Sequence, residues 1–186
     1  MATWKEMIHS GNFDSFAKRY VYSTLRFQSQ VRSGGSAYYY YPEGDTLTNN
    51  AGRWTELDTG MSSIPQNEAW GGFLAPYNGF IKKVIINYYQ NSYASIASYP
   101  VIQPSIWKYD DADATSGSEI FEGIAQTMIY QQIKTWDLES PTDSALDNAT
   151  FDAGDIILPV FNQTSGVTGK TFHGTWTIVV CYVNMV

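Results

Sequence analysis

The chain has 186 residues, with 44% hydrophobic, 16% aromatic and only 16% charged side chains, and its formal net charge is −7 at pH 7. This length suits one domain with its own core, and the apolar fraction excludes wholesale disorder. A single Cys excludes an internal disulfide and a cysteine-based metal site, and two His leave little material for a histidine-based one. An acidic chain without a basic stripe makes a poor nucleic-acid binder. No apolar run approaches the ~18 residues of a membrane span.

The first segment, residues 1–19, is polar and has no clean period, so we expect an N-terminal arm rather than core. It lacks the basic and apolar stretches of a secretory signal. Its apolar members Trp4, Met7 and Phe13 are predicted to contact a partner when the arm docks and becomes ordered. The remainder, 20–186, is predicted to form a single domain.

The rest of the chain has the pattern of short strands between loops rich in Gly, Asn and Ser. Runs of β-branched and aromatic residues predict strands at 20–27, 37–41, 53–57, 70–75, 80–89, 101–109, 127–137, 155–161 and 171–183. Many short strands separated by turn-rich segments favour an all-β sandwich, jelly roll or barrel.

Four consecutive tyrosines, Tyr38, Tyr39, Tyr40 and Tyr41, stand in the second predicted strand. Successive side chains of a strand point to opposite faces, so we expect rings on both faces. Either both faces are covered within the protein or one of them meets a partner, since aromatic rings are common interface anchors. We therefore group these tyrosines with the arm residues as predicted partner contacts.

The run 80–89 predicts a long strand with Val84, Ile86 and Tyr88 on one face. The Pro-Tyr-Asn-Gly sequence at 76–79 predicts a turn before it, because Asn-Gly readily takes positive φ.

An acidic cluster, Asp110, Asp111 and Asp113, follows the strand predicted at 101–109. These carboxylates could supply oxygen ligands to a hard cation such as calcium, although the cluster lacks the EF-hand pattern. The alternative, which we favour, is a solvated hairpin tip, and no cofactor is predicted for the chain.

The segment 118–128 departs from the strand pattern. It places Ile120, Phe121, Ile124, Ala125 and Met128 at helical spacing after Ser118, a residue type that caps helices, and so predicts a short helix. Glu119 and Glu122 would then share a face of that helix. A glycosidase needs two carboxyl groups held close together, but we favour the interpretation that these two glutamates are ordinary charged residues of the surface.

The last two predicted strands differ in character. In 155–161, Pro159 lacks an N–H group and is expected at an edge or bulge. The run 171–183 alternates on one side, with a second face that is polar up to Thr177 and turns apolar at Val179, Cys181 and Val183, which predicts one face on the core and one toward solvent or a neighbour. The predicted core face consists of Trp176, Ile178, Val180 and Tyr182.

Catalytic motifs are absent from the sequence, which contains no phosphate-binding Gly loop, dinucleotide fingerprint, Ser-nucleophile elbow or His-Glu-x-x-His. His173 lies among threonines on the polar face of its predicted strand, so we interpret it as an exposed or interface residue rather than a general base. The sequence therefore predicts no enzyme activity.

Two internal stretches and the first five residues carry a resemblance to a known family. Residues 70–86, WGGFLAPYNGFIKKVII, contain an apolar-x-Pro-x-x-Gly phrase that opens a strand, and residues 149–158, ATFDAGDIIL, contain a Thr-Phe-x-Ala-Gly-Asp phrase ahead of the final long strand. The start, MATWK, is followed by Glu6 and Met7 where the family has a more basic and aliphatic stretch. Together these stretches resemble the β-sandwich proteins of tailed-bacteriophage virions, of the marine, T4-like and cyanobacterial kind.

The resemblance implies a jelly-roll-like antiparallel β-sandwich with an N-terminal arm, located in the virion after synthesis in the host cytoplasm, and no catalytic residues. We expect a capsid decoration (cement) protein that binds between major capsid protein subunits and forms trimers. The alternative is a receptor- or carbohydrate-binding module of the tail, baseplate or fibre. Few charges, many tyrosines and strong strands independently suit a protein of a permanent symmetric assembly.

Overall fold

The computed structural model of the protein describes residues 18–32, 38–42, 54–57, 72–91, 99–110, 117–166 and 170–185. Within these ranges the chain is all-β, apart from one turn of 3-10 helix at Ser144–Leu146. The strands are β1 (Lys18–Arg32), β2 (Tyr38–Pro42), β3 (Trp54–Leu57), β4 (Phe73–Leu74), β5 (Gly79–Gln90), β6 (Val101–Tyr109), β7 (Gly117–Glu122), β8 (Gln126–Thr127), β9 (Ile133–Glu139), β10 (Thr150–Phe151), β11 (Ile156–Ser165) and β12 (Thr171–Met185).

These strands form two antiparallel sheets. The first has the order β1-β12-β5, with β9 and β10 both paired to β5. The second has the order β3-β2-β11-β6-β7, with β4 paired to β11 and β8 paired to β6. The eight principal strands thus make one sheet of β1-β12-β5-β9 and another of β2-β11-β6-β7, which is the strand order of a jelly roll. The predicted jelly-roll-like antiparallel sandwich is confirmed.

The core lies between the two sheets, and the alternation of the strands builds it. From Val84 to Gln90 every second residue of β5 is buried, including Val84, Ile86 and Tyr88 as predicted, and an irregularity at Lys82 and Lys83 interrupts the alternation before that. The predicted inner face of β12 is buried as well. The ring of Tyr88 meets that of Phe161 on β11 at a centroid distance of 4.6 Å, which joins the two layers directly. Each fully buried large apolar side chain contributes about 1.5–3 kcal/mol.

Close approach explains the glycine at the start of β5. Neither Asn78 nor Gly79 takes positive φ, so the expected Asn-Gly turn geometry is wrong. A Cβ on Gly79 would instead lie 2.5 Å from the carbonyl oxygen of Cys181 on β12. A side chain there would push the two strands apart.

The helix predicted over 118–128 is wrong, because this segment forms β7 and β8 on the edge of β6. Only part of the supposed apolar face is inside: Phe121 is buried, whereas Ile124 is 79% exposed. Between the two strands the backbone N–H of Gly123 donates to the carbonyl of Pro104 at 2.7 Å. Pairing with β6 therefore satisfies the backbone groups that a helix would have satisfied internally.

Two predicted strands are cut short. The run predicted at 127–137 is divided into β8 and β9 by a turn in which Gln131 has a φ of 60°. Of the run predicted at 70–75, β4 takes only Phe73–Leu74.

Pro159 was expected at an edge or bulge, but β11 is an internal strand with β6 along one side. On its other side, Ile156 and Ile157 pair with β4, and pairing with β2 begins at Phe161. Pro159 lies in the gap between these two partners, where a missing N–H costs no ladder hydrogen bond.

The expected arm, 1–19, lies outside the described residues except for Lys18 and Arg19, which begin β1. None of the described segments is a helix of the length and apolarity needed to cross a membrane.

Candidate interaction surface

Most predicted partner contacts fall where side chains are not described. Trp4, Met7 and Phe13 lie outside the described residues. The backbone of Tyr38, Tyr39, Tyr40 and Tyr41 forms most of β2, which is hydrogen-bonded to β11 on one side and to β3 on the other. Their role as contacts stays a prediction.

The proposed cation cluster is described at one of its three residues. The Asp110 carboxylate lies 3.2 Å from Lys108 Nζ, which is also 3.5 Å from the buried Asp155 carboxylate. Burial lowers the pKa of Lys108, but its hydrogen bonds and the two negative charges raise it above its ordinary value, so an ammonium group lies between these acids. Asp111 and Asp113 lie outside the described residues, and no trio of His, Cys, Asp or Glu within the described ranges could hold a metal ion. The metal site therefore stays a prediction.

The described surface instead carries an apolar patch where β1 begins and β12 ends. We call it the tyrosine rim, and its members are Tyr20 (54% exposed), Val21 (49%), Tyr22 (59%), Leu74 (64%) and Tyr77 (54%). Isolated apolar side chains are normal on a protein surface, but a contiguous patch marks a binding surface. Tyrosine is also enriched in protein interfaces, because its ring is apolar and its hydroxyl can still bond to water or a partner.

Contacts within the protein link two members of the rim, Val21 and Tyr77, through Tyr182. Val21 lies opposite Tyr182 in the β1–β12 ladder, and the Tyr182 ring packs edge-on against the Tyr77 ring at 5.9 Å. Leu74 belongs to the same connection between the sheets and pairs with Ile156 on β11.

Hydrogen bonds fix the connection that carries Leu74 and Tyr77. The N–H of Ala75 donates to the carbonyl of Asp155 at 2.8 Å, and the N–H of Ala153 donates to the Asn78 side chain at 2.8 Å. The rim is therefore presented by an anchored loop and a paired strand, which lowers the entropy cost of binding.

The position of β1 makes the rim accessible from several directions. Within the described residues β1 pairs with β12 alone and so forms an edge of its sheet. Tyr20 and Tyr22 share the outer face of that sheet, whereas Val21 belongs to the inner face and is still half exposed. Edge strands with exposed apolar side chains are preferred sites for pairing with another chain.

Tyr22 is held at this edge by Cys181, its neighbour across the ladder. The pKa of the Tyr22 hydroxyl is raised, chiefly by the charge that Cys181 carries as a thiolate. Loss of solvent around the hydroxyl and a hydrogen bond between the two side chains raise it further. Burial raises the pKa of the Cys181 thiol as well, so both groups are neutral at physiological pH.

The far side of the same sheet is acidic. On β9, Asp137 lies 3.1 Å and Glu139 lies 3.7 Å from Lys83 Nζ. Hydrogen bonding to Asp137 is the main cause that raises the pKa of Lys83. Asp147 and Asp152 follow in the next connection, and both are exposed.

The residues considered for catalysis do not come together. Glu119 and Glu122 lie on β7 in the second sheet, whereas His173 lies on β12 in the first, between Gln30 and Tyr89. Burial and the charge of Glu122 raise the pKa of Glu119, against a hydrogen bond from Ser105 that lowers it.

Sequence reasoning placed residues 20–22 in a strand but did not include them among the partner contacts. The signal was available: Tyr20, Val21 and Tyr22 are three successive large apolar residues, which break the alternation of a strand with one wet face. Tyr77 gave no comparable signal, since it sits in a turn.

Comparison with known proteins yields structures but no sequence family. No family model and no curated protein matches the chain. One similar solved structure is that of the infectious bursal disease virus Gx strain, with 10% sequence identity and a TM-score of 0.42 over 89% of this chain and 33% of that chain. The Eiger TNF from S. frugiperda has 12% identity and a TM-score of 0.36 over 87% of this chain and 94% of that chain. Broad bean stain virus has 8% identity and a TM-score of 0.35 over 88% of this chain and 86% of that chain. The chain spans about a third of the length of the bursal disease virus chain. Most of these similar structures are virus particles.

Proposed function

We propose that this protein is a non-enzymatic structural component of a virus particle, which acts by binding neighbouring virion proteins. The observation that carries the proposal is the tyrosine rim, a set of exposed apolar side chains at the start of an edge strand of the jelly roll and in the neighbouring β4–β5 connection. A permanent assembly buries such a surface, whereas a free monomer would expose it to water.

The resemblance to tailed-bacteriophage virion proteins supports a more specific role. The protein is proposed to decorate the head, binding between major capsid protein subunits as a trimer. Trp4, Met7 and Phe13 of the arm and the tyrosines at 38–41 are proposed as further contacts. Burial of these side chains against the shell would add to the stability of the particle.

The test compares intact particles with particles that lack this protein. We expect depleted particles to assemble, but to open at a lower temperature and under milder osmotic shock. Addition of the purified protein should restore resistance, and an unrelated acidic protein of similar size is the control. If depleted particles withstand heat and osmotic shock as well as intact ones, the cement role is wrong.

A second candidate is a carbohydrate-binding module of the tail, baseplate or fibre. It is favoured by the exposed rings of Tyr20, Tyr22 and Tyr77, since sugars stack on aromatic side chains. Copy number distinguishes the two functions, because a head protein is present in far more copies than a tail protein. Binding on a glycan array that is lost in Tyr77→Ala would favour this second function.

A further inference from the structure

We propose that the outer edge of β1, the side that faces away from β12, binds an extended segment of a neighbouring virion protein by strand addition. The segment becomes a further strand of the first sheet and covers the part of the tyrosine rim that lies on β1. This inference rests on the proposed function and deepens it, because it names the chemistry of the partner and the way in which it binds.

β1 is a long and regular edge strand. It pairs with β12 over its whole length without a register shift, and it contains no proline. Proteins usually protect an exposed edge by keeping the strand short or by placing a bulge or a proline in it. The other edge strands of the described residues are shorter: β9 spans Ile133–Glu139, β3 spans Trp54–Leu57, and β7 pairs with β6 across a register shift. A long edge without these devices suits a partner strand.

A backbone hydrogen bond of β12 shows which groups of β1 point to the outer edge. The N–H of Val183 donates to the carbonyl of Asn78, just ahead of β5, at 2.9 Å, so the backbone of Val183 points away from β1. Tyr20 lies opposite Val183 and therefore directs its own N–H and C=O away from β12. Because this direction alternates along an unbroken register, the backbone groups of Thr24 and Arg26 also point to the outer edge.

Both faces of the sheet are open at this edge. Tyr20 and Tyr22 lie on the outer face and are 54% and 59% exposed, and Val21 lies on the inner face and is 49% exposed. An added strand has side chains on both faces, so a single segment covers all three residues. A partner that docked on the outer face alone would leave Val21 in water, which favours strand addition.

The edge also indicates the character of the segment. Arg26 is the only charged residue within 20–29, and it is exposed. We therefore expect apolar side chains beside Tyr20 and Tyr22 and an acidic side chain beside Arg26. A second β1 strand does not supply this pattern, because antiparallel pairing along the whole length would put Tyr22 against Gln28.

A proline at the outer edge tests the backbone directly. Thr24→Pro removes one outward N–H and places the proline ring there, while the hydrogen bonds between β1 and β12 remain, because Thr24 makes none of them. Thr24→Ala keeps the N–H and is the matched control at the same exposed position. Arg26→Pro with Arg26→Ala is a second pair of the same design, and thermal melting identifies the pair whose proline variant is folded.

Binding to particles that lack the protein is the first readout. The wild type and Thr24→Ala should bind saturably, whereas Thr24→Pro should bind at least about tenfold more weakly, because it loses a hydrogen bond and its ring blocks the added strand. Hydrogen exchange of the particle-bound protein, measured by mass spectrometry with residue-level fragmentation, is the second readout. The amides of Tyr22 and Thr24 should become protected on binding, whereas those of Ser23 and Leu25 are already protected by β12 in the free protein.

A folded Thr24→Pro protein that binds as tightly as Thr24→Ala would overturn this inference and leave the proposed function intact, since the rim would then bind through side chains alone. Unchanged exchange of the Tyr22 and Thr24 amides in the bound protein would overturn it as well. Self-association of the free protein that Thr24→Pro abolishes would assign the edge to a second copy and also contradict the inference. If the wild type does not bind the particles at all, the proposed function falls together with this inference.

Discussion

The indole N–H of Trp176 donates a hydrogen bond to the hydroxyl of Tyr88 at 3.0 Å, across the ladder between β12 and β5. The same hydroxyl lies 2.7 Å from Ser29 Oγ on β1. The rings of Tyr88 and Trp176 also pack edge to face at 6.4 Å. This buried trio connects β1, which carries the tyrosine rim at its other end, to the centre of its sheet.

Tyr88→Phe should lower the free energy of unfolding by about 1–3 kcal/mol, because it removes the buried hydroxyl to which the Trp176 N–H and the Ser29 hydroxyl are hydrogen-bonded. Urea denaturation measures the change. Tyr89→Phe, at the half-buried neighbouring position on the opposite face of β5, is the control and should change stability little. Equal stability of Tyr88→Phe and wild type would show that the trio is not a stabilising network.

Burial raises the pKa of Tyr88 well above its ordinary range. Its hydrogen bonds with Ser29 and Trp176 lower the pKa, but by less than burial raises it. The folded protein therefore holds Tyr88 as a neutral phenol. As pH is raised, Tyr88 should ionise only when the protein unfolds. Ultraviolet titration of wild type and Tyr88→Phe checks this. If the native protein shows one more ionised tyrosine than the variant before unfolding, the expectation fails.

Gly174→Ala should destabilise the protein by about 1–3 kcal/mol or more through overpacking. Gly174 lies between Ser29 and Tyr88 in the sheet, and a Cβ there would lie 2.4 Å from the Tyr88 ring. Calorimetric melting should show a clear drop, whereas Thr175→Ala at the adjacent exposed position should not. A Gly174→Ala protein that melts like the wild type would mean that Tyr88 does not pack against this backbone.

Glu119→Gln should be neutral or stabilising at pH 7, by at most about 0.5 kcal/mol, because the side chain is only partly buried and solvent screens its charge. The folded-state pKa of Glu119 is raised by burial and by Glu122, so the protonated form favours folding. That contribution is fully present below the ordinary Glu pKa and is lost as pH rises through the raised value.

The measurement is melting temperature against pH for Glu119→Gln and wild type. The advantage of the variant should shrink toward acid pH. Glu139→Gln, which removes an acid paired with Lys82 and Lys83, is the control and should give no such gain at pH 7. A variant whose effect is the same at every pH would contradict the assigned pKa direction.

The sandwich could be predicted because strand burial follows a period of two. In β12, Trp176 and Ile178 face inward on alternate positions, and this pattern depends on neighbouring residues alone. Over 118–128, apolar residues three and four apart also fit a helix, and only pairing with the distant β6 decides in favour of strands. Pro159 shows the same limit, because a gap between two partner strands is not visible in local sequence.

The rim was only partly predictable. The apolar run at Tyr20–Val21–Tyr22 is local, but its exposure depends on β1 being an edge strand, which is a property of the whole topology. Likewise, Tyr77 joins the rim through Tyr182, more than a hundred residues along the chain.

The most direct measurement is the binding of a rim variant, Tyr20→Ser with Tyr22→Ser, to particles that lack the protein. Both positions are more than half exposed, so the variant should lose less than about 1 kcal/mol of stability. The account predicts that the wild type binds saturably and raises the temperature at which the particles open, while the variant binds at least tenfold more weakly and protects less. A folded variant that binds and protects as the wild type does would contradict the claim that this protein acts through its tyrosine rim.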